Sequence, residues 1–164
     1  MIVKLEKAFE ADAQRLFDMQ RAAFLPLLEK YRDFDTSPAA EPIEQLRSKI
    51  TNHKNTFFII LADGKLAGGI CIKQKAEERF RISPIFVLPE YQGSGIAQET
   101  LRQVEMCFPN AEIWQLSTLL EEKGNCYLYE KVGYIQIGLP KILNERATLI
   151  HYQKNVSTGL HGSC

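Results

Sequence analysis

The sequence predicts an α/β domain, with a mixed, mostly antiparallel central sheet of about seven strands flanked by about four helices. Three observations predict it. Apolar periodicity switches between two and three-to-four residues in the order strand, helix, helix, three strands, helix, strand, helix, two strands. Asp63-Gly64 separates two strand-like runs, a hairpin signal. A glycine-containing turn, Gln92-Gly93-Ser94-Gly95, joins a buried strand directly to a helix and so inserts a βα unit among the hairpins.

Each element has its own signal. Ile2 to Lys7 alternates apolar and charged residues, as a half-buried strand does. Asp12 is a candidate N-cap. Leu16, Met19, Ala23, Phe24, Leu27 and Tyr31 then form a helical stripe, which Pro26 should kink or break. Tyr31 to Ala40 reads as a loop with Asp33, Asp35, Ser37 and Pro38. Pro42 suits the first turn of a second helix, with Ile43, Leu46 and Ile50 on one face. Thr56 to Ala62 and Leu66 to Lys73 are the hairpin strands. Arg79 to Leu88 is a further strand, in which Pro84 cannot donate to a ladder and marks an edge or a bulge. Gly95 to Phe108 is a helix with Ala97, Leu101, Val104 and Phe108 inward. Glu112 to Thr118 is a strand, and Asn125 to Val132 is a short helix stopped by Gly133. Tyr134 to Leu139 and Ala147 to Tyr152 complete the sheet. Residues 1–154 make one domain; residues 155–164 are polar and aperiodic, which suits a flexible C-terminal tail.

Composition narrows the function classes. A chain of 164 residues, 45% of them hydrophobic, supports one core. Lys plus Arg equals Asp plus Glu at 20 each, so no global field draws nucleic acid or an anionic membrane. Lys4 and Glu6 come too early for a signal peptide, and the longest strongly apolar run, Phe57 to Ala62, is too short to span a bilayer. A cytoplasmic protein without membrane or nucleic-acid partners is expected. Cys71, Cys107, Cys126 and Cys164 show no metal-ligand or redox spacing, and Cys71 and Cys107 read as small apolar fillers.

The chemistry concentrates in Ile85-Phe86-Val87-Leu88-Pro89-Glu90-Tyr91-Gln92-Gly93-Ser94-Gly95-Ile96-Ala97. A strand ends, a polar turn follows and a helix starts at once. Free backbone N–H groups and the positive end of the helix dipole then converge on one spot, which suits a phosphate. The Walker loop is excluded, because Ile96 stands where it needs Lys. The dinucleotide fingerprint needs a third Gly where Gln98 stands. An ordinary tight strand-to-helix turn is the competing explanation.

The full string resembles the signature of the GNAT superfamily of N-acetyltransferases, whose loop runs Arg or Gln, two variable residues, Gly, one variable residue, then Gly or Ala. Gln92, Gly95 and Ala97 match its fixed positions, and Val87-Leu88-Pro89-Glu90-Tyr91 is similar to the usual lead-in. A second block, Asn125-Cys126-Tyr127-Leu128-Tyr129-Glu130-Lys131-Val132-Gly133-Tyr134, is similar to the family's Leu-Tyr-x-Lys-x-Gly-aromatic segment. One helix and one strand lie between the two blocks, as the family requires.

The resemblance implies acetyl-CoA as cosubstrate, no metal, and transfer of the acetyl group to an amine by direct attack in a ternary complex. Backbone groups of Phe86, Val87 and Leu88 would hold the pantetheine arm, where the fourth and fifth strands splay apart. Amides of Gln92, Gly93, Ser94, Gly95, Ile96 and Ala97 would hold the pyrophosphate, and Asn125 would contact the cofactor. A fourth-strand amide, that of Val87, would stabilise the oxyanion. Tyr129 matches the family's frequent general acid, which protonates the leaving thiolate. Cys126 lies one turn earlier, and no acyl-cysteine step is needed. The general base stays open among Glu41, His53, Glu121, Glu122, His151 and a water chain, since the fourth strand offers Arg79, Arg81 and Ser83 where family members often place Glu. The acceptor is a small-molecule or peptide amine. The acids and aromatics of Tyr31, Asp33, Phe34 and Asp35 would suit a cationic one, and packed loop aromatics explain them equally well. A homodimer stays open. The alternative is a non-catalytic acyl-CoA-binding or regulatory domain.

Overall fold

The computed structural model describes residues 1–156. Seven strands form one sheet: β1 (Val3–Lys7), β2 (Asn55–Ala62), β3 (Lys65–Gln74), β4 (Arg79–Val87), β5 (Ile113–Leu119), β6 (Ile135–Ile142) and β7 (Thr148–Asn155). Four helices flank it: α1 (Ala13–Tyr31), α2 (Ile43–Thr51), α3 (Ile96–Cys107) and α4 (Lys123–Lys131). The spatial order is β1-β2-β3-β4-β5-β7-β6, and every neighbouring pair is antiparallel except β4–β5. The architecture and element order agree with the sequence reading. Asp63 and Gly64 both have positive φ, 50° and 80°, the backbone that a two-residue hairpin turn requires.

Alternation along the strands builds two cores. Phe58, Ile60, Ile70, Ile72, Phe80 and Ile82 face α3 and α4, and pack with Trp114, Leu116, Ile150 and Tyr152. Phe57, Ile59, Cys71 and Phe86 face the other way, against Leu16, Met19 and Ala23 of α1 and Leu46 of α2. Each fully buried aliphatic or aromatic side chain contributes about 1.5–3 kcal/mol to this packing.

Three local expectations change. The helix α1 continues through Pro26 instead of breaking there, although proline's missing N–H removes the bond to the carbonyl of Ala22, an exposed residue. Asp12 is the N-cap residue of α1 as expected, but its side chain makes no cap bond to that helix; it ends a short 3-10 turn, and its carboxylate accepts the amide of Phe9 at 2.8 Å. Strand β7 runs through Asn155, and the Val156 amide donates to Glu112 O at 2.9 Å, so the sheet takes the first residues assigned to the tail. The remainder of that tail, 157–164, lies outside the described residues.

The feature that positions the site is a wedge between β4 and β5. These strands pair only from Arg79 to Arg81 against Ile113 to Gln115, although β4 continues to Val87 and β5 to Leu119. On the other side of β4, the register with β3 shifts between Ile70 and Ile72, where β4 carries one extra residue at Ser83 and Pro84. Pro84 thus marks a bulge, and bulges bend and re-aim a strand.

Candidate active site

A cavity of about 530 Å³ opens where the wedge meets the start of α3 and α4 and the wall of α1. Its lining includes Ile85, Phe86 and Val87 from β4, Gln92, Gly93 and Gly95 to Gln98 from the turn and the start of α3, Asn125, Leu128 and Tyr129 from α4, and Ala23, Phe24 and Leu27 from α1. Of the sequence-predicted residues, Phe86, Val87, Gln92, Gly93, Gly95, Ile96, Ala97, Asn125 and Tyr129 line this one cavity. Leu88 and Ser94 do not. The Leu88 amide donates to Ala67 O at 2.8 Å, and the Ser94 hydroxyl donates to Tyr91 O at 2.6 Å.

The direction of the β4 backbone follows from that Leu88 bond. Successive residues of a strand point their N–H and C=O groups to opposite sides. Leu88 and Phe86 therefore face β3, whereas Val87 and Ile85 face the wedge. Gln92 confirms the orientation, since its side-chain Nε2 donates to Val87 O at 2.9 Å. Phe86 contributes its ring to the cavity rather than its amide. Ile85 is the residue the sequence reading missed; only the bulge at Pro84, which resets the alternation, reveals that its amide faces the gap.

The turn after β4 is built for an anion. A 3-10 turn, Pro89–Tyr91, is followed by Gly93 at φ 78° and Gly95 at φ 85°, which only glycine adopts without strain. A Cβ on either glycine would meet nothing within 4 Å, so the glycines serve the backbone path and leave the space above it open. Glu99 is the first α3 residue whose amide bonds back, to Gly95 O at 3.1 Å. Among the described residues no acceptor receives the amides from Gly93 to Gln98, and Gly95 caps the helix with no side chain. Unpartnered amides at the positive end of a helix dipole fit a pyrophosphate.

Tyr129 stands on α4, 6% exposed, with its ring 6.0 Å from those of Tyr134 and Tyr152. Its hydroxyl has no hydrogen-bond partner among the described residues, and burial, helped by Cys126, raises its pKa above the usual tyrosine value. The phenol is thus held in its proton-donating form. Cys126 points elsewhere, with Sγ 3.7 and 3.8 Å from the carbonyl oxygens of Leu119 and Leu120.

Among the described residues, Glu122 is the only charged one in the lining. The Tyr31 hydroxyl donates to its Oε2 at 2.5 Å, and Lys30 Nζ lies 3.6 Å away. The other candidate bases are engaged outside the cavity. Glu41 pairs with Lys49 at 2.6 Å, Glu121 accepts the Thr148 amide at 2.8 Å, and His151 Nδ1 lies 2.6 Å from Ser117 Oγ. His53 sits exposed in the turn before β2. The loop after α1 is not an aromatic cage, since Tyr31 is buried and bound to Glu122, and Arg32 already covers exposed Phe34 at 5.3 Å. Among the described residues, no group of His, Cys, Asp and Glu is placed to hold a metal ion, and no helix is long and apolar enough to cross a membrane.

A strand–amide-turn–helix cradle beside a splayed strand pair is the architecture of an acyltransferase fold, and comparison with known proteins agrees. The chain belongs to the acetyltransferase (GNAT) family, whose sequence model matches residues 13–134. None of the curated proteins matches it by sequence. The fold is similar to that of the ribosomal-protein-S18-alanine N-acetyltransferase from Escherichia coli, at 14% identity and TM-score 0.76, covering 96% of each chain. It is also similar to PaiA N-acetyltransferase from Thermoplasma acidophilum in complex with coenzyme A, at 16% identity and TM-score 0.70, covering 95% of this chain and all of the other. A third is spermidine N-acetyltransferase from Vibrio cholerae in complex with CoA and spermine, at 17% identity and TM-score 0.72, covering 93% of this chain and 95% of that one. Identities this low establish the fold alone, and acceptors as unlike as a protein alanine and spermidine show that the fold does not name the acceptor.

Proposed function

We propose that this protein transfers an acetyl group from acetyl-CoA to an amine by direct attack in a ternary complex. One observation carries the reading: a row of unpartnered amides, from Gly93 to Gln98, ends a wedge whose cavity also holds Tyr129 and Glu122. The amides bind the pyrophosphate. The arm lies along the open edge of β4, and the amides of Val87 and Ile85 face it. When the amine lone pair attacks the thioester carbon, charge moves to the carbonyl oxygen, and one of those two amides donates to it. Glu122 takes the proton that the amine loses. The carbon–sulfur bond then breaks, and Tyr129 delivers its proton to the departing sulfur. Phe24, Leu27 and Leu128 keep this end of the cavity apolar, which strengthens each of these interactions.

Calorimetry with acetyl-CoA and with coenzyme A tests the cradle. Both should bind, since the contacts are to the pyrophosphate and the arm. Ligand at ~100 times its Kd should stabilise the fold by roughly 2.7 kcal/mol. Gly95→Pro should abolish binding, because proline fixes φ near −65° where the chain needs 85°. Mass spectrometry of an amine panel then reads the transfer. No binding of either ligand to folded protein would end this reading, and binding without any transfer would favour a non-catalytic acyl-CoA-binding domain.

A further inference from the structure

The apex of the wedge carries a cluster that the proposed transfer does not use. Arg81 is the last β4 residue in register with β5, opposite Gln115. Its Nη2 reaches two residues further along β5 and donates to Ser117 Oγ at 2.8 Å. Ser117 Oγ in turn lies 2.6 Å from His151 Nδ1 on β7. On the other side, Lys73 of β3 stands opposite Arg81 in the β3–β4 ladder. Alternation puts all four side chains on the α1–α2 face of the sheet, where these helices pack on β2, β3 and β4.

Two half-buried cations side by side are a costly arrangement. Like charges directly opposite each other on a sheet destabilise it, and partial burial adds a desolvation cost. Among the described residues the Lys73 side chain has neither an ion pair nor a hydrogen bond, and the Arg81 side chain bonds only to Ser117. The carboxylate of Glu41, in the same neighbourhood, is already paired with Lys49 at 2.6 Å. Burial and the nearby Lys49 lower the Lys73 pKa, and burial lowers that of Arg81, the response expected of cations lacking a counter-charge. The cluster borders the point where β4 and β5 part.

We infer that Lys73 and Arg81 bind an oxyanion group, a carboxylate or a phosphate, of an acceptor whose amine is acetylated in the adjoining wedge. Charge complementarity selects this occupant. The planar Arg81 fork has free N–H groups for two oxygens, Lys73 adds a point charge, and the Ser117–His151 bond fixes the fork in place. The inference rests on the acetyltransferase reading and names its acceptor class.

The test is acetyl transfer from acetyl-CoA by the full chain to amino acids and to O-phosphoethanolamine, each beside the matched amine without its anionic group. The wild type should favour the anionic member of a pair by about tenfold or more in kcat/KM. The amino acids and the phosphate ester separate carboxylate from phosphate recognition. Arg81→Gln with Lys73→Met should collapse that ratio toward one through KM, while coenzyme A affinity, read by calorimetry, shows the protein still folded. Arg81→Lys, which keeps the charge, should keep most of the preference. Equal use of both members, a preference for the uncharged tail, or an equal loss for both in the double variant would overturn the inference. So would no transfer to any member by protein that binds coenzyme A. Loss of coenzyme A binding in the wild type would instead overturn the acetyltransferase reading beneath it.

Discussion

Gly68 of β3 faces the carbonyl of Phe86 on β4 so closely that a Cβ on Gly68 would stand 2.0 Å from that oxygen. This approach ties the mechanism to the packing. With Phe86 and Leu88 drawn to β3, the intervening Val87 and the preceding Ile85 turn their amides to the wedge. The neighbouring Gly69 has the matching role on the other face, where a Cβ would lie 2.7 Å from the Phe86 ring. Two consecutive glycines in a central strand thus position the edge of β4 along which the proposed function lays the arm of acetyl-CoA.

Gly68→Ala should therefore damage both stability and binding. The clash is with backbone, which cannot rotate away, so β3 and β4 must separate. Overpacking of this kind costs about 1–3 kcal/mol, and a domain of this size loses roughly 2–4 °C in Tm per kcal/mol. Thermal unfolding reads the first effect and calorimetry with coenzyme A the second. An alanine variant with unchanged Tm and affinity would show that the two strands yield at this point without cost.

The order of elements was legible because its signals are local. Asp63-Gly64 and the turn from Gln92 to Gly95 need no knowledge of distant residues, and strands show either as alternation, as in Ile2 to Lys7, or as short apolar runs between turns, as in Phe57 to Ala62. The lining of the cavity was legible for the same reason, since its cradle is one continuous segment. What stayed hidden depends on pairing across the sheet. The direction of the Ile85 amide depends on the bulge at Pro84, and the bulge depends on the register with β3. The Arg81–Ser117–His151 chain joins three strands whose residues are far apart in sequence. Glu122 was one candidate base among several, and only the fold shows that it lines the cavity. Pro26 does not break α1, because its cost depends on how the helix is packed and its freed carbonyl satisfied, which the sequence does not state.

Glu122 has two roles to separate. It accepts the Tyr31 hydroxyl at 2.5 Å, a charge-assisted bond that docks the end of α1, and it is the proposed base. Tyr31→Phe removes the bond and keeps the carboxylate; Glu122→Gln keeps an acceptor and removes the base. Both should lower Tm modestly, as loss of a hydrogen bond to a charged group costs about 1.5–3 kcal/mol at most. Only Glu122→Gln should lower kcat, by on the order of 10²-fold. Steady-state kinetics and thermal unfolding of the two variants decide. Equal and small losses of kcat in both would leave Glu122 a docking residue only.

The last prediction concerns Tyr129. A buried phenol with a raised pKa, lining the cavity and free of any partner among the described residues, is placed to give its proton to a leaving thiolate. General acids contribute on the order of 10²–10⁴ in rate, or roughly 3–5 kcal/mol of barrier. Tyr129→Phe removes the proton and keeps the ring, with its 6.0 Å contacts to Tyr134 and Tyr152. The kcat should therefore fall by about a hundredfold or more, while acetyl-CoA affinity and Tm stay near wild type. The pH profile adds a second reading. An ordinary tyrosine ionises near pH ~10, and an enzyme using it as an acid loses rate there. Burial raises the Tyr129 pKa, so the protonated form persists further into alkali. The rate should accordingly rise with pH as the acceptor amine deprotonates and should not turn down where a free tyrosine would. A Tyr129→Phe variant that keeps wild-type kcat while the chemical step limits turnover would reject the general-acid role. The cradle and the fold would survive that result, because neither depends on the hydroxyl.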